Sequence, residues 1–259
     1  MALTDTETGA LTLEQKNEII ENGYTMLPGL VSPELVGAAL RAINTSLGEG
    51  SDPAQLDTLR SQSWCPEVTG QPAILDLLTA SPAWALAESA IGVGKLEPVD
   101  RGQIALRFPI AGDPVEVHAH LDGMYTPHNG VTKGKLSNFT ALVGVYLSDV
   151  PTENAGNFTV WPGSHQLYAD YFQKEGADAL FRGMPPVDIG APLQTTPRAG
   201  DVVLSHYQIG HGIAPNVSPH IRYAIYFRLR RVGHSAIMAE VMSDLWREWD
   251  GLRALAGRS

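Results

Sequence analysis

The region between residues 102 and 230 contains six runs rich in Val, Ile, Tyr and Phe, with turn residues between them. The runs are Gly102–Phe108, Val115–Leu121, Phe139–Val150, Asn157–Trp161, Asp201–Tyr207 and Ile221–Arg230. Strands at this spacing, without helices alternating between them, are typical of antiparallel sheets that pack as a sandwich or close into a barrel. The sequence therefore predicts a mainly β fold, and a chain of 259 residues is within the length that one such domain can reach.

Helical patterns flank this β-rich region. Thr12 and Gln15 form a capping-box pattern at the start of one predicted helix, and Ser32 with Pro33 starts a second. A further helical pattern runs from Ala73 to Ile91. We predict a single domain over residues 1–259, with a mainly helical part at 1–99, a β core at 100–232 that carries an insertion at 166–198, and a C-terminal helix at 233–259.

The charge balance limits the partners of the chain. Asp and Glu total 28 residues against 18 Lys and Arg, which gives a formal net charge of −10. Nucleic acids and anionic membranes require a concentrated basic face, so we expect neither as a partner. We expect a small-molecule partner and either a monomer or a homodimer.

The cysteine count limits the possible metal sites. Cys65 is the only cysteine, which excludes an internal disulfide, a thiolate zinc site and an iron–sulfur cluster. Any metal ion would be held by some of the eight histidines together with carboxylates. Residues 1–16 contain no apolar run of signal-peptide length, and no run reaches the roughly 18 apolar residues of a membrane span. We therefore expect a cytoplasmic protein.

Residues 115–122, with the sequence VEVHAHLD, carry the most informative polar pattern. Successive side chains of a strand point to opposite faces, so Glu116, His118, His120 and Asp122 would share one face. An imidazole and a carboxylate two residues apart can occupy adjacent positions on one metal ion. A solvated polar face would show the same pattern, so this segment alone does not decide between the two interpretations.

A second polar cluster follows the predicted strand at residues 201–207. His211 lies near the end of this strand, and Arg222 opens the next strand eleven residues later. If the loop through Pro215 reverses the chain, both side chains face a common cavity. A guanidinium group binds a carboxylate in a bidentate fashion, so a dianionic ligand could contact a metal at one end and Arg222 at the other.

The order of these motifs resembles that of the phytanoyl-CoA dioxygenase-like (PhyH) branch of the iron(II)/2-oxoglutarate-dependent oxygenases. The shared features are His-x-Asp at residues 120–122, the distal His211, and Arg222. Further segments are similar to the same family, and the resemblance extends over residues 13–232. These segments are residues 21–34, 147–156, 160–165 and 199–203.

The resemblance implies a fold, a set of cofactors and four principal site residues. The implied fold is a double-stranded β-helix, or cupin-like jelly roll, with flanking α-helices, and it agrees with the strand pattern described above. His120, Asp122 and His211 would bind iron(II). Arg222 would bind the distal carboxylate of the cosubstrate 2-oxoglutarate, and O2 would occupy the remaining position on the metal.

The resemblance and the sequence also indicate further candidate site residues. Gln103 and Thr140 match positions that often hydrogen-bond the cosubstrate in the family. His118, Tyr125 and Trp161 are candidates for the substrate pocket, with Tyr125 in a segment that would form a lid. His118 could instead be a metal ligand of the kind that cupins use, and Trp161 could equally be a core residue.

Other polar residues have simpler interpretations. His165 lies in a Pro-Gly-Ser-His turn and His206 lies five residues before the distal histidine, and we interpret both as structural. Arg228, Arg230 and Arg231 are interpreted as a solvated strand end, with the alternative that one of them contacts an anionic substrate.

These features together predict a dioxygenase that hydroxylates an unactivated carbon of a small metabolite or natural-product intermediate and releases succinate and CO2. Desaturation, cyclisation or another oxidative rearrangement by the same enzyme class is the first alternative. Halogenation is disfavoured, because related halogenases carry a small residue at the position of Asp122. A non-catalytic jelly-roll binding protein and a zinc hydrolase are alternatives from other classes.

Overall fold

The computed structural model describes residues 9–257, so residues 1–8 and 258–259 of the predicted domain, with part of the N-terminal segment 1–16, lie outside the described residues. The helices are α1 (Leu13–Asn22), α2 (Pro33–Gly48), α3 (Leu56–Ser61), α4 (Pro72–Thr79), α5 (Ala83–Ile91), α6 (Ser164–Glu175) and α7 (Asp250–Arg253). The strands are β1 (Tyr24–Leu27), β2 (Gln103–Arg107), β3 (Ala141–Tyr146), β4 (Phe158–Val160), β5 (Leu193–Gln194), β6 (Val202–His206), β7 (His211–Ile213) and β8 (Arg222–Leu229). Within the described range, no helix is long and apolar enough to cross a membrane.

Two antiparallel sheets form the β core. The larger sheet has the strand order β1-β6-β3-β8-β2, and the smaller has the order β5-β4-β7. Five of the six predicted runs contain a strand of these sheets, and α1 to α5 precede β2. The prediction of a mainly β fold with flanking helices is therefore confirmed.

Strand β3 separates two hydrophobic cores. All six of its residues are buried, and their side chains alternate between the two faces of the sheet. Val143 and Val145 pack into the core that the larger sheet shares with the helices. Leu142 and Tyr146 pack into a second core with the smaller sheet and α6. The candidate site lies on this second side, between the two sheets.

The predicted helix starts are confirmed at both N-terminal helices. The Thr12 side chain accepts a hydrogen bond from the backbone of Gln15, and the Gln15 side chain accepts one from the backbone of Thr12. Ser32 accepts a hydrogen bond from the backbone of Leu35 at the start of α2, with Pro33 in the first turn. These caps satisfy N–H groups that a helix leaves unpaired at its first turn.

The predicted strand at Val115–Leu121 is wrong. This segment forms only one isolated bridge, between His120 and His211. The strand beside it, β7, has only three residues, so it pairs with the segment at a single position. Most of residues 111–120 are exposed, and little hydrophobic burial favours a longer ladder.

The predicted C-terminal helix is also wrong, because the only α-helix between residues 233 and 257 is α7, with four residues. Single 3-10 turns precede it at His234–Ala236 and Glu240–Met242. Trp246, Glu248 and Trp249 are all buried. Adjacent residues of a helix are separated by about 100° around its axis, so a surface helix could not bury all three side chains on one narrow face.

Candidate metal centre

The three predicted metal ligands converge where β7 begins. The Nε2 atoms of His120 and His211 lie 3.6 Å and 3.7 Å from Oδ1 of Asp122. The three donor atoms all lie within 4.8 Å of one another, and residues 9–257 contain no second group of histidine, cysteine or carboxylate side chains with this geometry. Two imidazoles and one carboxylate in this arrangement could bind one face of a metal ion and leave its other positions open.

Backbone pairing holds the two histidines together. The N–H of His120 donates to the carbonyl of His211 at 2.8 Å, and the reverse bond is 3.2 Å long. The ring centroids are therefore only 4.4 Å apart. Nδ1 of His211 lies 3.0 Å from the carbonyl of Ile209. Since a carbonyl only accepts, Nδ1 carries the proton and Nε2 remains available to a metal.

The two oxygens of Asp122 have different environments. Oδ1 faces the two imidazoles, whereas Oδ2 accepts a hydrogen bond from Nε of Arg228 at 2.9 Å and forms an ion pair with its Nη2 at 2.8 Å. Burial raises the pKa of Asp122, but the charge of Arg228 and the proximity of the two imidazoles outweigh this effect and hold the pKa well below its usual range. Asp122 is therefore ionised at neutral pH, with one oxygen oriented towards the metal position.

Arg228 belongs to the site and is not a solvated strand end, which corrects the interpretation from the sequence. Its Nη1 donates to Oε1 of Gln103 at 2.8 Å, so Gln103 supports the guanidinium that orients Asp122. The alternation of side chains along β8 could have indicated that Arg228 faces the site. Arg222, Tyr226 and Arg228 are separated by even numbers of residues and therefore share one face of the strand.

Burial also affects the protonation of the first ligand. Although 49% of the His120 side chain is exposed, burial of the rest of the ring lowers its pKa, the neighbouring His211 lowers it further, and these effects outweigh the opposing influence of Asp122. The imidazole is therefore neutral at neutral pH, which is the form that binds a metal.

Arg222 is buried at the start of β8 and has one unused donor. Its Nε donates to the carbonyl of Gly156 at 2.8 Å and its Nη1 to that of Ala105 at 3.0 Å. The buried Nη2 has no hydrogen-bond partner among residues 9–257. An unsatisfied charged donor is unfavourable in the interior, so this atom indicates a ligand that accepts hydrogen bonds.

Two tyrosines beside Arg222 have the same property. The hydroxyl groups of Tyr146 and Tyr226 are buried and lack a partner in the described part of the chain. Burial, followed by the proximity of Tyr226, raises the pKa of Tyr146 well above its usual value, and the charge of Arg222 opposes the shift. Three neighbouring donors without acceptors fit the carboxylate that the resemblance assigns to Arg222. Neither tyrosine is predicted from the sequence.

A cavity of about 730 Å³ opens beside the three metal ligands. This volume is within the range of about 300–1,000 Å³ that small-molecule sites occupy. Gln103 and Tyr125 both line it, and Tyr125 is 48% exposed with Nζ of Lys133 5.9 Å from its ring centroid. These two sequence candidates therefore lie where a cosubstrate or substrate could contact them.

Thr140 does not line this cavity. Its hydroxyl donates to Oε2 of Glu248 at 2.8 Å and accepts a hydrogen bond from the backbone of Arg231 at 2.9 Å. Glu248 also lies 2.8 Å from Nδ1 of the buried His234. Because these bonds occupy the hydroxyl, we assign Thr140 to a structural network that anchors the C-terminal segment, which corrects its predicted role.

Two further candidates lie away from the main cavity. His118 is exposed and outside the group of three metal ligands. It lines a separate cavity of about 390 Å³. Trp161 is 6% exposed, buried as a core residue is, and lines neither cavity. Neither residue is placed to contact a ligand in the main cavity.

His165 and His206 are structural, as predicted. Both are buried, and their Nε2 atoms lie 3.1 Å from the carbonyl of Ile20 and 3.0 Å from that of Leu245, respectively. Burial, followed by the charge of His206, lowers the pKa of His165 to about 3. Burial also lowers the pKa of His206 to about 4.

These two histidines predict acid sensitivity of the metal-free fold. In the unfolded chain each titrates near pH 6.5, so between about pH 6.5 and 4 the unfolded state binds protons that the folded state excludes. The free energy of unfolding should therefore fall as the pH falls through this window, with a limiting slope of about 1.4 kcal/mol per pH unit for each histidine. Urea unfolding with a chelator at several pH values measures the slope.

His206→Gln is expected to reduce this slope, whereas His128→Gln, which changes an exposed histidine, should leave it unchanged. Equal slopes for wild type and His206→Gln would contradict the assignment of acid sensitivity to this buried group.

Comparisons with known proteins agree with the fold. The sequence profile of the phytanoyl-CoA dioxygenase (PhyH) family matches residues 19–224. The chain is similar to the 2-oxoglutarate-dependent carbocyclase SnoK from nogalamycin biosynthesis, with a TM-score of 0.57 and 21% identity over 88% of this chain and 87% of that one. Comparison with curated proteins finds no match.

Two further solved structures are similar. HygX from Streptomyces hygroscopicus, with nickel and 2-oxoglutarate bound, has a TM-score of 0.57 and 19% identity over 85% of this chain and 87% of that one. EctD from S. alaskensis, with 2-oxoglutarate and 5-hydroxyectoine, has a TM-score of 0.58 and 18% identity over 85% and 76% of the two chains. The predicted jelly-roll core with flanking helices is confirmed.

Proposed function

The chain belongs to the phytanoyl-CoA dioxygenase (PhyH) family of iron(II)/2-oxoglutarate-dependent oxygenases, and from this membership we propose that it hydroxylates an unactivated carbon of a small metabolite or natural-product intermediate. Succinate and CO2 are the products of the cosubstrate. The observation that carries the proposal is the convergence of His120, Asp122 and His211 on one point, beside a cavity and a buried arginine with an unused donor.

The protein's part in this reaction is to hold and orient the reactants. His120, Asp122 and His211 would hold iron(II) through Nε2, Oδ1 and Nε2, respectively. The bound iron and 2-oxoglutarate supply the oxidation of the substrate C–H bond with O2. Arg228 keeps Oδ2 of Asp122 occupied, so this carboxylate would hold the metal through Oδ1 alone.

The distal carboxylate of 2-oxoglutarate binds at the buried donors described above. Nη2 of Arg222 and the hydroxyl groups of Tyr146 and Tyr226 donate to it, which removes the cost of three unsatisfied polar groups. The two other nitrogens of Arg222 already bind backbone carbonyls. The guanidinium is therefore held in place before the cosubstrate arrives, and little entropy is lost on binding.

Tyr226→Phe tests this subsite with little risk to the fold. The hydroxyl lacks a partner within residues 9–257, so its removal should leave the melting temperature of the metal-free protein unchanged or slightly higher. The affinity for 2-oxoglutarate should fall about tenfold, because one hydrogen bond to a charged group is lost. Calorimetric titration of the nickel-loaded protein measures the affinity, and Tyr171→Phe on α6 is the matched control. Unchanged affinity in Tyr226→Phe would exclude this hydroxyl from the subsite.

Oxidation by the same centre could also end in desaturation, cyclisation or another rearrangement. SnoK is described as a carbocyclase, and SnoN, a 2-oxoglutarate-dependent epimerase with 20% identity and a TM-score of 0.53, shares the same fold. We favour hydroxylation here, and analysis of the oxidised product by mass spectrometry separates these outcomes: a mass gain of one oxygen supports it, and a loss of two hydrogens contradicts it.

Succinate formation tests the proposed function against its rivals. We expect formation of succinate that requires iron(II), 2-oxoglutarate and O2, and that increases with a productive substrate. A non-catalytic binding protein would form no succinate under any condition. A zinc hydrolase would turn over with zinc and without O2, and either result would overturn the proposal.

A further inference from the structure

The main cavity is rich in arginine although the chain as a whole is acidic. Five of the 18 Lys and Arg residues line it, no lysine does, and the net charge of the chain is −10. The charged residues that line it are Arg60, Arg101, Arg107, Arg228, Arg230, Glu97, Asp100 and Asp122, besides the two histidine ligands. The guanidinium group of arginine binds carboxylate and phosphate in a bidentate fashion. An unpaired guanidinium group in the cavity therefore indicates the charge of the ligand.

Four of the five arginines have acidic neighbours, and Arg60 is paired with Asp57 at 4.0 Å on the surface. Arg228 is paired with Asp122 at 2.8 Å. Arg101 follows Asp100 in the chain. The backbone N–H of Glu97 donates to the carbonyl of Arg230. Among the described residues, Arg107 is the lining arginine without an acidic neighbour of this kind, so the excess positive charge of the cavity lies there.

Arg107 carries this excess. It is the last residue of β2 and is directly opposite Arg222 in the register of β2 and β8. Both residues flank Gly156, where an added Cβ would lie 3.0 Å from Cβ of Arg107 and 3.1 Å from that of Arg222. Burial, then the charges of Arg222 and Arg60, lower the pKa of Arg107 to about 10. Glu116 lines the smaller cavity that Arg107 also borders, without forming an ion pair with it.

No hydrogen bond or ion pair holds the Arg107 guanidinium within residues 9–257, although the group is partly buried. Two adjacent guanidinium groups repel each other, and partial burial strengthens this repulsion. The distal carboxylate of the cosubstrate, bound as proposed above, compensates one charge only. A second anion is needed to compensate the other.

We propose that the substrate carries a carboxylate or phosphate group and that Arg107, with Arg60 beside it, binds this group in the main cavity. The proposal rests on the proposed function, since it assigns Arg222 to 2-oxoglutarate and Arg107 to the substrate. Anchoring the anionic end at Arg107 would fix the distance between that end and the carbon presented to the metal. The substrate class is therefore a small organic acid or phosphate ester.

Calorimetric titrations of the nickel-loaded protein test the proposal in two stages. The first stage measures binding of 2-oxoglutarate alone, and its failure would count against the proposed function. The second stage keeps 2-oxoglutarate saturating and titrates benzoate, phenyl phosphate or the uncharged analogue benzamide. We expect benzoate or phenyl phosphate to bind with a stoichiometry of about one per chain, and benzamide to bind at least about tenfold more weakly, as loss of a charge-assisted bond predicts.

Three variants locate the binding group. Arg107→Gln should weaken binding of the anionic probe about tenfold or more, while binding of 2-oxoglutarate stays within about twofold of wild type. Arg60→Gln changes an exposed residue and should weaken the probe about twofold to fivefold, as exposed charges do. Arg182→Gln removes a guanidinium that pairs with Glu175 on the surface, and it should match wild type.

Several results would overturn the proposal. They are equal affinity for benzamide and benzoate, no binding of either anionic probe while 2-oxoglutarate binds, and weakening of 2-oxoglutarate rather than the probe in Arg107→Gln. If Arg107→Gln melts at a much lower temperature than wild type, Arg60→Gln and Arg107→Lys decide instead. Arg107→Lys keeps the charge and should retain part of the preference for the anionic probe, and a complete loss of that preference in a folded protein would favour a purely structural Arg107.

Discussion

Asp122→Ala is expected to abolish both metal binding and succinate formation. The change removes the only carboxylate of the three-residue group and leaves two imidazoles, of which His120 is exposed to solvent on one side. Changes to outer partners of metal ligands already cost about tenfold to a hundredfold in affinity or activity, so loss of a ligand should cost at least about a hundredfold. Manganese titration by calorimetry and the succinate assay measure the two effects.

The matched control for this variant is Asp178→Ala, which removes an exposed carboxylate near the end of α6 and should bind metal as wild type does. Thermal unfolding with a chelator checks that Asp122→Ala is folded, since the Arg228 side chain that loses its carboxylate partner keeps its hydrogen bond to Gln103 and is 37% exposed, so it can be solvated. Turnover by a folded Asp122→Ala near the wild-type rate would show that the triad is assigned wrongly.

Arg222→Gln is expected to have the second-largest effect. Loss of the Nη2 donor together with its positive charge should weaken 2-oxoglutarate about a hundredfold, because a hydrogen bond between charged groups contributes about 1.5–3 kcal/mol. The fold should also lose stability, since the carbonyls of Gly156 and Ala105 lose their donors. Calorimetric titration at a temperature well below the melting point separates binding from unfolding.

Metal affinity provides the internal control for Arg222→Gln. The arginine does not belong to the metal group, so manganese affinity without cosubstrate should stay near the wild-type value if the protein is folded. Retained affinity for 2-oxoglutarate in that folded variant would contradict the assignment of Arg222. Comparison with Tyr226→Phe, which removes a single hydroxyl from the same subsite, then shows whether the effects follow the number of donors removed.

Much of the fold was predictable because local patterns and tertiary packing agree. The strand β8 reads as a continuous β-forming run in the sequence, and seven of its eight residues are buried or partly buried in the structure. The ligands His120, Asp122 and His211 were identified by spacing and by resemblance, although the strand assumed for the first two is absent. A single backbone bridge between the histidines is sufficient to bring them together.

The remaining features depend on contacts that spacing does not encode. The unsatisfied hydroxyl of Tyr146 is visible only after the neighbours of that side chain are known. Thr140 directly precedes β3, but its hydroxyl donates a hydrogen bond to Glu248, which lies 108 residues later in the sequence. The C-terminal segment has a helical pattern, yet burial of Trp246 and Trp249 against His206 replaces the helix with turns. In the C-terminal segment, tertiary packing therefore overrode the local helix propensity. The roles of Tyr146 and Thr140 likewise depend on tertiary contacts.

Anaerobic titration of the iron(II)-loaded protein with 2-oxoglutarate, followed by its visible charge-transfer absorption, tests the metal and cosubstrate assignments together. We predict an absorption band that saturates at about one cosubstrate per chain in the wild type, as expected for direct chelation of one metal at one site. The band should be absent in Asp122→Ala and should require far more cosubstrate in Arg222→Gln. Absence of the band in iron-loaded wild type, or an unchanged band in Asp122→Ala, would contradict the assignment of this site.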